Sequence, residues 1–138
     1  MIDAAAVWES VAARVAHSGP ESLSPAERRF YWVNRSLVDL DVGGLSGFLY
    51  NLNPSAVGAR WDDLRAAADA LQDAGAAGAG PSLHELARRL EERPGGEGPW
   101  QSELDRLSSD LRRLEADLRT LVEPLWDRLD DLAAEATL

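Results

Sequence analysis

The sequence of 138 residues contains no cysteine and no lysine, so all 14 of its basic residues are arginines. Without cysteine, the chain has no disulfides, thiolate nucleophiles or thiolate metal ligands. Without lysine, it has no Walker A phosphate loop and no lysine that could form a Schiff base or act as a general base. These two absences exclude several large classes of enzyme.

Histidine is also scarce, and no catalytic motif is complete. A zinc-binding HExxH helix would need a second histidine one turn after His84, and Arg88 stands there. Residues 44–47 (GLSG) are one residue short of a G-x-S-x-G nucleophile elbow. We therefore predict that the protein is not an enzyme, with no catalytic residue, metal site or cofactor.

Long apolar runs are missing as well. No uncharged apolar stretch approaches the ~18 residues that indicate a membrane-spanning helix. The first ten residues, MIDAAAVWES, carry acids where a secretory signal carries Lys or Arg. We expect a cytoplasmic protein that does not bind membranes.

Negative charge is abundant. The chain has 24 acidic and 14 basic residues, a net charge of −10. Such a charge disfavours direct binding to nucleic acids or anionic lipids, and it steers basic partners toward the protein. The expected partner is therefore a basic protein.

The patterning predicts an all-α fold, a single domain over residues 1–138 built as a bundle of six or seven helices. Helix starts are indicated by Asp3 and by the capping box that begins at Ser24. A linker is predicted at 75–81 and a loop at 93–99, where Gly and Pro are frequent. The predicted helices cover 3–17, 25–41, 45–50, 57–74, 83–92, 100–122 and 124–136.

The helix that starts at Pro25 meets a Gly-Gly pair, Gly43 and Gly44. Each glycine costs a helix about 1 kcal/mol relative to alanine. A glycine also permits a positive φ or a close approach of backbone. We predict a structural corner here, and expect Gly44 not to tolerate a β-branched residue.

The last long helix carries a heptad seam that Pro124 interrupts. This seam is either part of the intramolecular core or a surface for a partner helix, and the sequence leaves both open. Its leucines are Leu104, Leu107, Leu111, Leu114, Leu118, Leu121 and Leu125.

Two helices can each present an aligned row of carboxylates. On the last long helix, acids recur every seven residues, about 10.5 Å apart along the axis. On the predicted helix 57–74, three aspartates share one side. We predict that these two rows bind the partner: Glu103, Asp110 and Asp117 on the first helix, and Asp62, Asp69 and Asp73 on the second.

Residues 39–51, DLDVGGLSGFLYN, resemble the acidic-apolar-Asn-Asn-Gly-Gly-Phe-x-Gln-aromatic-x-x-Asn signature of a bacterial family of small helical DNA-mimic proteins. Residues 69–76, DALQDAGA, are similar to a second segment of that family. The core of the resemblance covers residues 22–92, with a weaker match in the C-terminal helices, 100–138. Asp41, Val42, Leu45 and Gly47 depart from the signature. The signature positions that match and that we assign a structural role are Gly43, Gly44, Phe48 and Asn51.

This resemblance implies an all-helical cytoplasmic protein whose carboxylates imitate DNA phosphates. It would occupy the DNA-binding face of a basic protein such as a transcription regulator. A ~34 Å length of duplex carries about 20 charges, twice the net charge of the chain, so a homodimer is left open. Two alternatives remain: an immunity or antitoxin protein that neutralises a basic toxin, and a helical adaptor that pairs through the leucine seam.

Overall fold

The computed structural model describes residues 3–52, 60–92 and 108–138, and all the regular secondary structure in these ranges is helical. Five helices have 12 residues or more, and a short helix follows them near the C-terminus. No helix in the described ranges is long and apolar enough to cross a membrane. The helices are α1 (Ala4–Ser18), α2 (Pro25–Asn51), α3 (Asp62–Asp73), α4 (Ala79–Glu91), α5 (Ser108–Val122) and α6 (Leu129–Ala136).

The predicted all-α class is confirmed, but the described residues contain five long helices and one short, eight-residue helix, so the predicted bundle of six or seven helices is not matched. The two helices predicted on either side of the glycine pair belong to α2, a single 27-residue segment with an internal kink. The predicted capping box is present, because the Ser24 hydroxyl accepts from the Glu27 amide and the Glu27 carboxylate accepts from the Ser24 amide.

Other predicted boundaries are shifted. Helix α4 begins at Ala79, within the predicted linker, and includes Pro81. Proline is compatible with the first turn of a helix, because the first amides have no intrahelical acceptor. Beyond Pro124 the chain first forms a 3₁₀ helix, Glu123–Arg128, rather than the predicted α-helix. Residues 57–59, the loop 93–99 and the helix start at 100–107 lie outside the described residues.

Helix α2 lies at the centre of the packing. It contacts α1, α3, α5 and α6, and α3 packs against α4. The largest buried side chains include Trp32, Phe30 and Phe48, all on α2. In the leucine seam, Leu118 and Leu125 are buried and belong to the core, whereas Leu121 is 37% exposed. Leu104 and Leu107 lie outside the described ranges.

The kink in α2 is located at Gly44, with φ 66° and ψ −169°. This combination lies in a backbone region that is essentially restricted to glycine. The expectation of a positive φ at this position is therefore confirmed. Gly43, by contrast, has no positive φ, and a Cβ added there would meet nothing within 4 Å.

Side chains of helix α5 bond backbone groups on both sides of the kink. The Glu115 carboxylate accepts from the Leu45 amide at 2.5 Å, and the Arg119 guanidinium donates to the Leu40 carbonyl at 2.8 Å. Glu115 and Arg119 are one helical turn apart, with 3.9 Å between their charged atoms. One acid–base pair on α5 therefore caps both halves of α2.

The kink folds the second half of α2 back toward the first. Arg35 donates to the carbonyl of Asn51 at 2.8 Å, although 16 residues separate the two. In a straight helix this separation would be about 24 Å along the axis. Arg35 thus caps the C-terminal end of α2, and the Phe48 side chain is brought into the core.

The start of α3 is capped by a carboxylate from another helix, because Trp61 at the N-cap position provides no side-chain cap. From the end of α4, the Glu91 carboxylate accepts from the Trp61 amide at 2.7 Å and from both terminal nitrogens of Arg65 at 2.5 and 2.7 Å. The hydrogen bonds from Arg65, with that from Trp61, hold the pKa of Glu91 below its ordinary value of 4.5. Glu91 therefore fixes the orientation of α3 relative to α4.

Replacing Glu91 by glutamine is expected to lower the free energy of unfolding by about 2 kcal/mol at neutral pH, because charge-assisted hydrogen bonds are lost. Since folding lowers the pKa of this carboxyl, its contribution is fully present above its unfolded pKa. It disappears as the pH falls through the lower folded pKa. Urea titrations at neutral and acidic pH measure this difference between wild type and variant.

Glu92→Gln is the matched control, because the neighbouring Glu92 is exposed and is paired with Arg88. It is expected to change stability by less than about 1 kcal/mol. Equal losses in the two variants would show that Glu91 has no special role at the start of α3.

Candidate protein-binding surface

The predicted row on α3 forms one exposed face. Asp62 lies 3.4 Å from Arg60 and 3.8 Å from Arg65. Asp69 lies 2.6 Å from the Nε2 atom of His84 on α4. Asp73, one turn after Asp69, is exposed and has no ion-pair partner among the described residues. The row exists, but basic groups lie beside two of its three members.

The predicted row on α5 is described only in part, because Glu103 lies outside the described residues. Asp110 is 3.6 Å from Arg89 of α4. Asp117, two turns further along α5, is exposed and has no ion-pair partner within the described ranges. Asp117 is therefore the less neutralised of the two described carboxylates in this row.

Several other carboxylates are held by arginines within the bundle. Arg88 donates to both oxygens of Glu85, at 2.5 and 2.9 Å, and to Glu92 at 2.5 Å. These bonds from Arg88 lower the pKa of Glu85. Glu115 caps the α2 kink as described above. Such groups are already bonded and are less available to a partner.

The sequence reasoning missed a further acidic surface near the C-terminus. We call it the C-terminal acidic surface, and it lies along the 3₁₀ helix and the start of α6. All four of its carboxylates are exposed, and none has an ion-pair partner in the part of the chain that is described. They are Glu123, Asp127, Asp130 and Asp131.

The arginines nearest to this surface in sequence are engaged elsewhere. Arg128 donates to the carbonyl of Ala74, and Arg119 donates to that of Leu40. Trp126 lies between Leu125 and Asp127 and is 38% exposed. The C-terminal acidic surface therefore combines unpaired carboxylates with an aromatic side chain, a residue type enriched in protein interfaces.

One sequence signal could have revealed this surface. Residues 117–135 contain six acidic residues and two arginines. The adjacent residues Asp130 and Asp131 point about 100° apart, as neighbouring helical residues do. That angle excludes convergence on one small ligand, but a broad protein surface needs no such convergence.

The described residues contain no group of three or more His, Asp or Glu side chains that could hold a metal ion. Among the signature positions, Gly44 forms the kink, Gly43 precedes it without a positive φ, Phe48 is fully buried, and the Asn51 carbonyl accepts from Arg35. Of these four residues, Gly44 is the one whose backbone conformation the kink requires.

Comparison with known protein families shows to which family this chain belongs. The family model for DMP19-like protein matches residues 21–137. The chain belongs to this family. The match is longer than the resemblance over residues 22–92, and it includes the C-terminal acidic surface but not α1. The suspected DNA-mimic family is thereby confirmed.

The DMP19-like family consists of DNA-mimic proteins, which act by binding rather than by catalysis. Its members are expected to bind a DNA-binding protein. Searches of curated proteins and of solved structures gave no match to this chain.

Proposed function

We propose that this protein binds the DNA-binding surface of a basic protein, such as a transcription regulator, and thereby keeps that protein from DNA. The family match is the observation that carries the proposal. The net charge of −10 gives the required electrostatic attraction to a basic surface. The encounter is proposed to take place in the cytoplasm of a bacterial cell.

The carboxylates proposed to imitate phosphates are Asp117 and the four of the C-terminal acidic surface, none of which has an ion-pair partner among the described residues. Asp69, Asp73 and Asp110 are proposed as secondary contacts. Asp69 already lies 2.6 Å from His84 and Asp110 lies 3.6 Å from Arg89, so both carboxylates are partly engaged within the protein. Asp62 and Glu103, the remaining members of the two predicted rows, are also proposed as partner contacts.

The number of charges limits how much DNA one chain can imitate. A duplex carries one charge per ~1.7 Å, so ten net charges correspond to about 17 Å of duplex. One copy could therefore imitate a single half-site. A homodimer, also proposed here, would double this length.

Reversing charge on the predicted rows, by Asp69→Arg with Asp110→Arg, is expected to weaken partner binding about tenfold. The effect is modest because Asp69 and Asp110 already have neighbours within the protein, His84 and Arg89. The melting temperature should change little, because exposed charges contribute little to stability. Calorimetric titration of the partner measures the affinity, and unchanged binding would remove these rows from the site.

The proposal is tested by immobilising the protein and passing a lysate of its own host over it. The account predicts that DNA-binding proteins are retained. They should be released by salt and also by competing duplex DNA at constant salt. Recovery of a cognate toxin alone would contradict the proposal and favour an immunity protein. A matrix carrying an unrelated protein of equal net charge controls for non-specific ion exchange.

A further inference from the structure

A cleft lies between α2 and α3, and Asp69 and Asp73 of the predicted α3 row line one of its walls. Its volume is about 250 Å³. This lies below the ~300 Å³ at which pockets for drug-sized ligands begin, so the cleft suits a smaller molecule. All of its lining residues lie within the described ranges of the chain. They are Pro25, Arg28, Arg29, Trp32, Ala66, Asp69, Ala70 and Asp73.

The two walls of this cleft carry opposite charges that are not paired with each other. Arg28 and Arg29 belong to α2, and Asp69 and Asp73 to α3. No ion pair within 4.0 Å joins the two walls in the described structure. Arg28 instead donates to the carbonyl of Leu23, and Arg29 lies 3.4 Å from Glu135. A cleft therefore separates groups that would otherwise neutralise each other.

Trp32, which also lines the cleft, is only 2% exposed, and its indole nitrogen has no hydrogen-bond partner in the described residues. The Nε atom of Arg29 is likewise buried and without an acceptor. A buried donor without an acceptor costs about 1–3 kcal/mol. Arg29 and Trp32 both line the cleft, and a shift of the partly exposed Arg29 side chain would open these donors to an acceptor group bound there.

We propose that this cleft binds a small zwitterion of the amino-acid type. Its carboxylate lies against Arg28 and Arg29 and accepts from the Trp32 indole. Its ammonium group lies against Asp69 and Asp73. A purely anionic ligand would be repelled by the aspartates and a purely cationic one by the arginines, whereas a zwitterion satisfies both walls.

The experiment is a calorimetric titration of the free protein with each L-α-amino acid in turn. At least one is expected to bind with a dissociation constant of about 1 mM or lower. The N-acetyl and amide derivatives of that amino acid, which lack the ammonium or the carboxylate charge, should each bind at least tenfold more weakly. Because no partner protein is present, the result is independent of the proposed function.

Variants locate the site. Asp73→Asn and Arg28→Gln should each weaken binding at least tenfold. Asp117→Asn and Arg112→Gln, which alter exposed residues of the same types outside the cleft, should leave it unchanged. In a ¹H–¹⁵N spectrum, the indole resonance missing from Trp32→Phe should shift on ligand addition. Absence of binding by every amino acid, or loss in only one of the two wall variants, would overturn the proposal.

Discussion

Replacing Gly44 by valine is expected to lower the free energy of unfolding by about 3 kcal/mol or more. At φ 66° and ψ −169°, residue 44 occupies a region that β-branched residues avoid. A Cβ at this position would also collide with the Glu115 carboxylate. The substitution therefore strains the backbone and displaces the group that caps the second half of α2. Chemical denaturation measures the loss.

Gly43→Ala and Gly47→Ala are the matched controls. Neither glycine has a positive φ, and an added Cβ would meet nothing within 4 Å at either position. Alanine is a better helix former than glycine, so each control should be neutral or should raise stability by up to about 1 kcal/mol. Similar losses at residues 43, 44 and 47 would mean that the Gly44 backbone conformation is not what matters.

Reversing two unpaired carboxylates, by Asp117→Arg with Asp127→Arg, is expected to weaken partner binding about 100-fold. Each change replaces an attractive contact with a repulsive one at the proposed phosphate-like surface. The melting temperature should remain within a few degrees of wild type, because both residues are exposed. The affinity is measured by titration with the purified partner at fixed salt, since salt screens these interactions.

Glu9→Arg is the control for net charge. Glu9 is exposed on α1, which lies outside the family match. Reversal there changes the net charge by the same two units as either single variant, Asp117→Arg or Asp127→Arg. It should change binding by less than about threefold if location matters more than total charge. If Glu9→Arg weakened binding as much as Asp117→Arg or Asp127→Arg alone, the partner would be responding only to net charge.

Local chemistry made part of this fold predictable. The capping box at Ser24 and the positive φ at Gly44 follow from side-chain and backbone preferences that act within a few residues. Helix α4 starts earlier than predicted because the first turn of a helix accepts proline, and Pro81 lies in that turn. A proline therefore predicts the end of a helix only when it lies beyond the first turn.

Long-range contacts were not predictable from the sequence. Glu115 and Arg119 reach the α2 kink across 70 and 79 residues. Spacing on one helix cannot reveal such partners. For the same reason, the predicted rows included Asp69 and Asp110 without their neighbours His84 and Arg89, and the C-terminal acidic surface was missed. The packing of helices determines which carboxylates remain unpaired.

The most direct test of the DNA-mimic account uses the purified partner bound to a labelled duplex of its own site. The account predicts that adding this protein releases the duplex, as followed by fluorescence anisotropy. The concentration needed should rise in proportion to the duplex present, because the two compete for one surface. A ternary complex, in which protein and duplex are bound to the partner together, would contradict the account.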